Sequence, residues 1–131
     1  MIELIAALTP LDYQYLAKAV SVEAHPYSAD EYCVAASILN RVLSDKFPNT
    51  ISDVVFAPGQ YQGLDFKRYI VPSTRLVEKL SSPNGQKSIA YWGKVLNNRT
   101  DFKGQSMLRY RVANEDPMCH PKGNFYHYYW Q

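Results

Sequence analysis

The stretch Leu16–Ser28, LAKAVSVEAHPYS, decides how the rest of the chain is read. Leu16, Ala19, Val20 and Glu23 fall at i, i+3, i+4 and i+7, the spacing of one face of an α-helix. The first three are apolar and mark the face that turns to a core. The fourth is a carboxylate standing where a core residue belongs. His25-Pro26 then ends the helix, because the residue ahead of a proline is pushed out of the helical region. The spacing therefore predicts a glutamate turned inward near a helix C-terminus, and burying a carboxylate is costly enough to need a reason.

Working outward, Thr9-Pro10-Leu11-Asp12 is a helix start: Thr can cap, Pro suits the first helical position, and Asp sits at the capping-box spacing. A helix from Pro10 to about Ala24 is expected. Ser28-Ala29-Asp30-Glu31 repeats the capping-box pattern and opens a second helix to about Leu43, with Val34, Ala35, Ile38, Leu39 and Val42 on its buried side. A tight turn between the two helices would leave Glu23 at the mouth of their junction. Phe47-Pro48-Asn49-Thr50 is turn material before a short helix, Ile51–Phe56, and Pro58–Gly63 is a loop. Helices are expected over Pro72–Leu80 and Gln86–Asn97, separated by the breaker Ser82-Pro83-Asn84-Gly85. Met107–Val112 alternates apolar or aromatic with basic residues and Asn124–Trp130 is almost wholly aromatic, so both are expected as short strands pairing across the Asp116–Gly123 loop. The expected class is α+β: a mostly helical single domain over residues 1–131 with a short antiparallel sheet near the C-terminus.

Composition bounds the function. A chain of 131 residues with 47% hydrophobic content suits one globular domain. No run reaches the ~20 apolar residues of a membrane span, and MIELIAALTPLDYQ has no basic region ahead of an apolar one, so no export signal and no membrane association are expected. The two cysteines, Cys33 and Cys119, are far apart and form no CxxC pair; they read as packing thiols. Net charge is +2, but residues 1–65 hold three Lys/Arg against eight Asp/Glu and residues 66–131 eleven against four, about −5 and +7. The halves could attract each other within one fold, or the second could face an anionic partner. Eleven tyrosines and two tryptophans offer rings with an apolar face and a polar tip, suited to core and to wet grooves alike.

Val22-Glu23-Ala24, then Val34-Ala35-Ala36-Ser37-Ile38-Leu39-Asn40-Arg41-Val42, then Phe47-Pro48-Asn49-Thr50-Ile51, then Val54-Val55-Phe56-Ala57-Pro58-Gly59-Gln60-Tyr61 resembles the SleB/CwlJ-type cell wall hydrolases, ordered and correctly spaced over residues 16–61. Gly123-Asn124 followed by aromatics is similar to that family's closing Gly-Asn-His-aromatic segment. The resemblance implies a small, distantly lysozyme-like domain acting on peptidoglycan glycan strands. It implies that Glu23 is the catalytic acid, that Asn40-Arg41 matches an Asn-Arg pair on the second helix, and that Gln60-Tyr61 matches a Gln-aromatic pair in the loop. Two departures stand out. Where relatives commonly carry Arg-Gly-Glu after Glu-Ala, this chain has His25-Pro26-Tyr27 and is about one residue shorter; its His127 falls two positions later than the family's histidine.

The chemistry agrees independently. Cleaving a glycosidic bond needs a proton for the leaving oxygen, and a poorly solvated carboxyl can hold one near neutral pH. Ordinary glycosidases need a second carboxylate. Here Asp12, Asp30 and Glu31 read as caps, while Asp65, Glu115 and Asp116 fall in loops. A lytic transglycosylase needs only one, because the C6 hydroxyl of muramic acid attacks its own C1 and the same glutamate accepts the proton. That reaction, at the MurNAc–GlcNAc bond with Glu23 as the catalytic residue, is expected, with no metal and no cofactor.

Asn40, Arg41, Gln60, Tyr61, Tyr110, Asn124 and Tyr126 are the candidate substrate-binding residues. Each has a plainer reading: a helix end for Asn40-Arg41, a turn for Gln60-Tyr61, strand core for Tyr110 and Tyr126. A zinc site from His25, Cys119, His120 and His127 lacks an HExxH pattern and is not favoured. Two rival functions stay open. One is a single-stranded nucleic-acid binder using Lys87, Tyr91, Trp92, Lys94, Arg99, Lys103, Arg109, Tyr110 and Arg111; the other is a glycan-binding module without catalysis. The preferred partner is the peptidoglycan glycan strand, met by a monomer, with no nucleic acid. An enzyme of the bacterial cell wall without an export signal fits a phage lysin released through another protein, or a virion component.

Overall fold

In a computed structural model of the chain, residues 1–24, 26–58, 61, 74–96 and 100 are described in full, and residues 101–104 and 127–130 as backbone. The order of elements is α1 (Ile2–Ala7), α2 (Pro10–Glu23), α3 (Asp30–Leu43), α4 (Ile51–Val55), α5 (Thr74–Ser81), α6 (Pro83–Val95), β1 (Asp101–Gly104) and β2 (His127–Trp130).

Helix α2 starts on the capping box read from the sequence. The Thr9 hydroxyl accepts from the Asp12 backbone N–H at 3.1 Å, and the Asp12 carboxylate accepts from the Thr9 N–H at 2.9 Å. Its Leu16, Ala17, Ala19 and Val20 are completely buried. Helix α3 is the centre of the molecule. Twelve of its fourteen residues are buried, where the sequence predicts a one-sided stripe. It packs against α2, α4 and α6, and a helix enclosed on several sides has no solvent face to spare. The small residues Ala35, Ala36 and Ser37 allow that close approach; Ser37, a buried polar group, is satisfied by donating to the Val34 carbonyl at 2.8 Å.

The second capping box is not made. The N-cap of α3 is Ala29, with no side-chain cap bond, and the Glu31 carboxylate is taken up elsewhere. The Ser82–Gly85 breaker proves to be the opening of α6. Ser82 caps by accepting from the Gly85 N–H at 3.0 Å, and Pro83 fills the first helical turn. Gly85 is required there by sterics, since a Cβ would lie 1.9 Å from the Lys79 carbonyl oxygen. Helix α1, for which the sequence reading has no counterpart, is six residues long, buries only Ile5, and packs against α6.

The expected α+β class is corrected. Every residue of the hydrophobic core belongs to a helix, to a segment between helices or, for Leu96, to a helix cap, so no sheet layer covers a helical face among the described residues, and the fold is helical. Among the described residues, extended pairing is limited to the four-residue strands β1 and β2, antiparallel with Asp101 opposite Trp130 and Gly104 opposite His127. Met107–Val112, expected as a strand, lies outside the described residues. The pair β1–β2 is a two-stranded ribbon of four residues a side, too short to bury a core of its own.

Cys33, expected as a packing thiol, is buried in α3 but disulfide-bonded. The chain's other cysteine, Cys119, lies outside the described residues. No described helix is long and apolar enough to cross a membrane.

Candidate active site

Glu23 is the last residue of α2 and half-buried, one turn beyond the fully buried Ala19 and Val20. The chain leaves the helix there. Ala24 is the C-cap in an extended conformation, its N–H donating to the Val20 carbonyl at 2.9 Å.

The segment that follows is held from an unexpected direction. Glu31, in the first turn of α3, is 2% exposed. Its carboxylate accepts from both Arg75 guanidinium nitrogens at 2.8 and 3.3 Å and from the Lys79 ammonium at 2.5 Å. It also accepts from the Tyr27 backbone N–H at 3.1 Å. Burial would raise the Glu31 pKa, but the hydrogen bonds and charges of Arg75 and Lys79 outweigh it and hold the carboxyl below its ordinary range. Lys79 also donates to the Ser28 carbonyl at 3.2 Å and sits over the Tyr32 ring at 4.7 Å. One buried carboxylate thus ties the N-terminus of α3 to α5 and fixes the backbone between α2 and α3. Asp30 beside it is fully buried, where the sequence predicts a cap for each of these two acids.

Arg41 and Tyr61, two of the candidate residues, meet. The Arg41 guanidinium lies over the Phe47 ring at 5.0 Å and the Tyr61 ring at 5.4 Å, and its Nε donates to the Thr100 carbonyl at 2.6 Å. Arg41 is 6% exposed and Tyr61 wholly buried. Asn40, on the same helix, is 5% exposed and lines a different cleft of about 410 Å³ with Met1, Ile2, Ala90 and Gly93. A second cleft of about 490 Å³ lies between α2 and α4, lined by Tyr15, Lys18, Ser52, Asp53, Phe56 and Ala57. Glu23 lines neither. Gln60, Tyr110, Asn124 and Tyr126 lie outside the described residues. Among the described residues no group of three or more His, Cys, Asp or Glu could hold a metal ion; His25, Cys119 and His120 are outside them.

The Glu31 cluster is the feature that sequence reasoning missed. Arg75 and Lys79 stand at i, i+4, which places both on one face of α5, and that is the only local signal. Their partner is 44 and 48 residues away.

The family model described as Cell Wall Hydrolase matches residues 27–129, beginning just past Glu23. A spore cortex-lytic enzyme of Bacillus cereus is 43% identical over 65 residues; that match takes in 47% of this chain but only 25% of the relative's length. Among solved structures, the catalytic domain of the germination-specific lytic transglycosylase SleB from Bacillus anthracis superposes with a TM-score of 0.63 at 25% identity, over 95% of this chain and 98% of that one. The catalytic domain of the Bacillus cereus SleB protein gives 0.63 at 24% identity, over 95% and 93%, a likeness of fold.

Proposed function

Because the chain belongs to the Cell Wall Hydrolase family, a family of enzymes, we propose that it cleaves the glycan strands of peptidoglycan as a lytic transglycosylase, at the MurNAc–GlcNAc bond, with Glu23 as its one catalytic carboxyl. The observation that carries this is the place of Glu23: half-buried, at the end of a helix whose Leu16, Ala19 and Val20 are withdrawn completely from water. A general acid for glycosidic cleavage must hold a proton near neutral pH, and partial withdrawal of a carboxyl from water favours that form. The neighbour named a lytic transglycosylase supports the same reaction.

In this reaction Glu23 gives its proton to the glycosidic oxygen as the bond to C1 breaks. The C6 hydroxyl of the same muramic acid bonds to C1, and the Glu23 carboxylate takes the hydroxyl proton, which restores the acid and closes a 1,6-anhydro ring. An intramolecular nucleophile needs no second carboxylate to activate water. Arg41 and Tyr61 serve the site as shaping residues, since their burial leaves a sugar almost no surface to touch, while Asn40 faces a separate cleft. Gln60, Tyr110, Asn124 and Tyr126 are the direct glycan contacts in this reading.

Mass spectrometry of purified peptidoglycan after digestion tests it. The expected product ends in anhydro-muramic acid, and Glu23→Gln, which keeps shape but has no proton to give, lowers its yield at least ~10²-fold without loss of fold. Near-normal lysis by Glu23→Gln overturns the role of Glu23, and reducing muramic acid ends overturn the transglycosylase in favour of a hydrolase.

A further inference from the structure

Tyr27 combines three properties that do not occur together by default. Its φ of 65° puts it in the left-handed region, which a bulky L-residue adopts only under constraint. Its side chain is not buried in compensation, for the residue is 77% exposed. Yet it is firmly held: Glu31 accepts its backbone N–H at 3.1 Å, and the Arg75 guanidinium lies over one face of its ring, 4.1 Å from the centroid. That guanidinium is itself fixed by two hydrogen bonds to Glu31, and the Glu31 carboxylate is buried.

A strained backbone is costly, and here it presents one aromatic ring to solvent, backed by an ion cluster that also ties α3 to α5. With one face covered by Arg75, the exposed area of Tyr27 is its other face and edge. Strain that supports no packing is a feature of functional positions. We propose that Tyr27, four residues after Glu23 in the chain, is a preset stacking platform for one sugar ring of the glycan strand.

The chemistry selects a sugar. A pyranose presents a face of C–H groups about as large as a phenol ring, with its hydroxyls around the rim. Set on the free face of Tyr27, those slightly positive hydrogens meet the negative face of the π-system, while the hydroxyls stay in water. A rigid ring loses little freedom on binding, so the platform's immobilisation by Glu31 and Arg75 favours affinity directly. The inference rests on the reading of the chain as an enzyme of glycan strands and adds to it the residue that seats one ring.

The test is calorimetric titration of soluble, un-cross-linked glycan strands into the full chain carrying Glu23→Gln, which binds without turnover. Tyr27→Asn is the informative variant, because Asn tolerates a positive φ and so keeps the backbone while removing the ring. It is expected to weaken binding about tenfold, and Tyr27→Phe, which keeps the ring, to restore most of that affinity. An Asn variant that binds as tightly as its parent overturns the platform, as does a Phe variant that loses as much as the Asn variant. If the Glu23→Gln parent binds no glycan at all, the enzymatic reading falls, and the platform with it.

Discussion

Replacing Glu31 by Gln removes a charge and little else: volume is kept, and an amide oxygen remains to accept the Tyr27 N–H. What is lost is the anion between Arg75 and Lys79. Breaking a buried ion pair typically costs about 3–5 kcal/mol. Glu31 is 2% exposed, but the side chains of Arg75 and Lys79 are 34% and 20% exposed, so the cations left behind can turn toward water. The lower end, about 3 kcal/mol, is therefore expected, or about 10 °C in Tm for a chain of this size. The pH dependence has a definite sign. Burial acts to raise the Glu31 pKa, but its bonds to Arg75 and Lys79 prevail and leave it below 4.5. A carboxyl depressed in the folded state stabilises fully above its unfolded value and loses that contribution as pH falls through its folded value. The gap between the unsubstituted chain and Glu31→Gln should be complete at neutral pH and close progressively below 4.5. Urea unfolding at a series of pH values measures it as a shift in midpoint at constant slope. A gap under about 1 kcal/mol at neutral pH, or one that persists undiminished at about pH 3, refutes the claim that this ion cluster holds α3 to α5.

Chelation by EDTA should leave peptidoglycan turnover unchanged, since the proposed chemistry needs only a carboxyl; loss of activity restored by zinc would contradict that. Gly85→Ala forces a Cβ against the Lys79 and Leu80 carbonyl oxygens, at 1.9 and 2.9 Å, and should destabilise by about 2 kcal/mol or more in thermal unfolding. An unchanged Tm would mean that α5 and α6 do not meet there as described. Thr9→Ala removes the hydroxyl that caps α2 and should cost about 1 kcal/mol in the same measurement, with Thr9→Ser recovering most of it.

What the amino-acid sequence determined by itself is what short-range physics controls. The Thr9–Asp12 box, the proline at the start of α2 and the stripe of Leu16, Ala19 and Val20 act within one or two helical turns, and the helix forms from Pro10 to Glu23 as they dictate. The likeness in residues 16–61 was legible for the same reason, because it is carried by contiguous runs of residues. Tertiary structure decided what depends on partners distant along the chain. Serine and glutamate at capping-box spacing, as in Ser28 and Glu31, are locally indistinguishable from Thr9 and Asp12. Yet Glu31 turns to Arg75 and Lys79 and takes the Tyr27 N–H alongside them, because a carboxylate enclosed at 2% exposure gains most from two cations. Likewise Ser82–Gly85 reads as an interruption until α5 and α6 pack so closely that only glycine fits between them. The aromatic tail signalled extended backbone, but its pairing with Asp101–Gly104 follows from which strand the fold brings alongside, and strand pairing leaves no mark in either sequence alone.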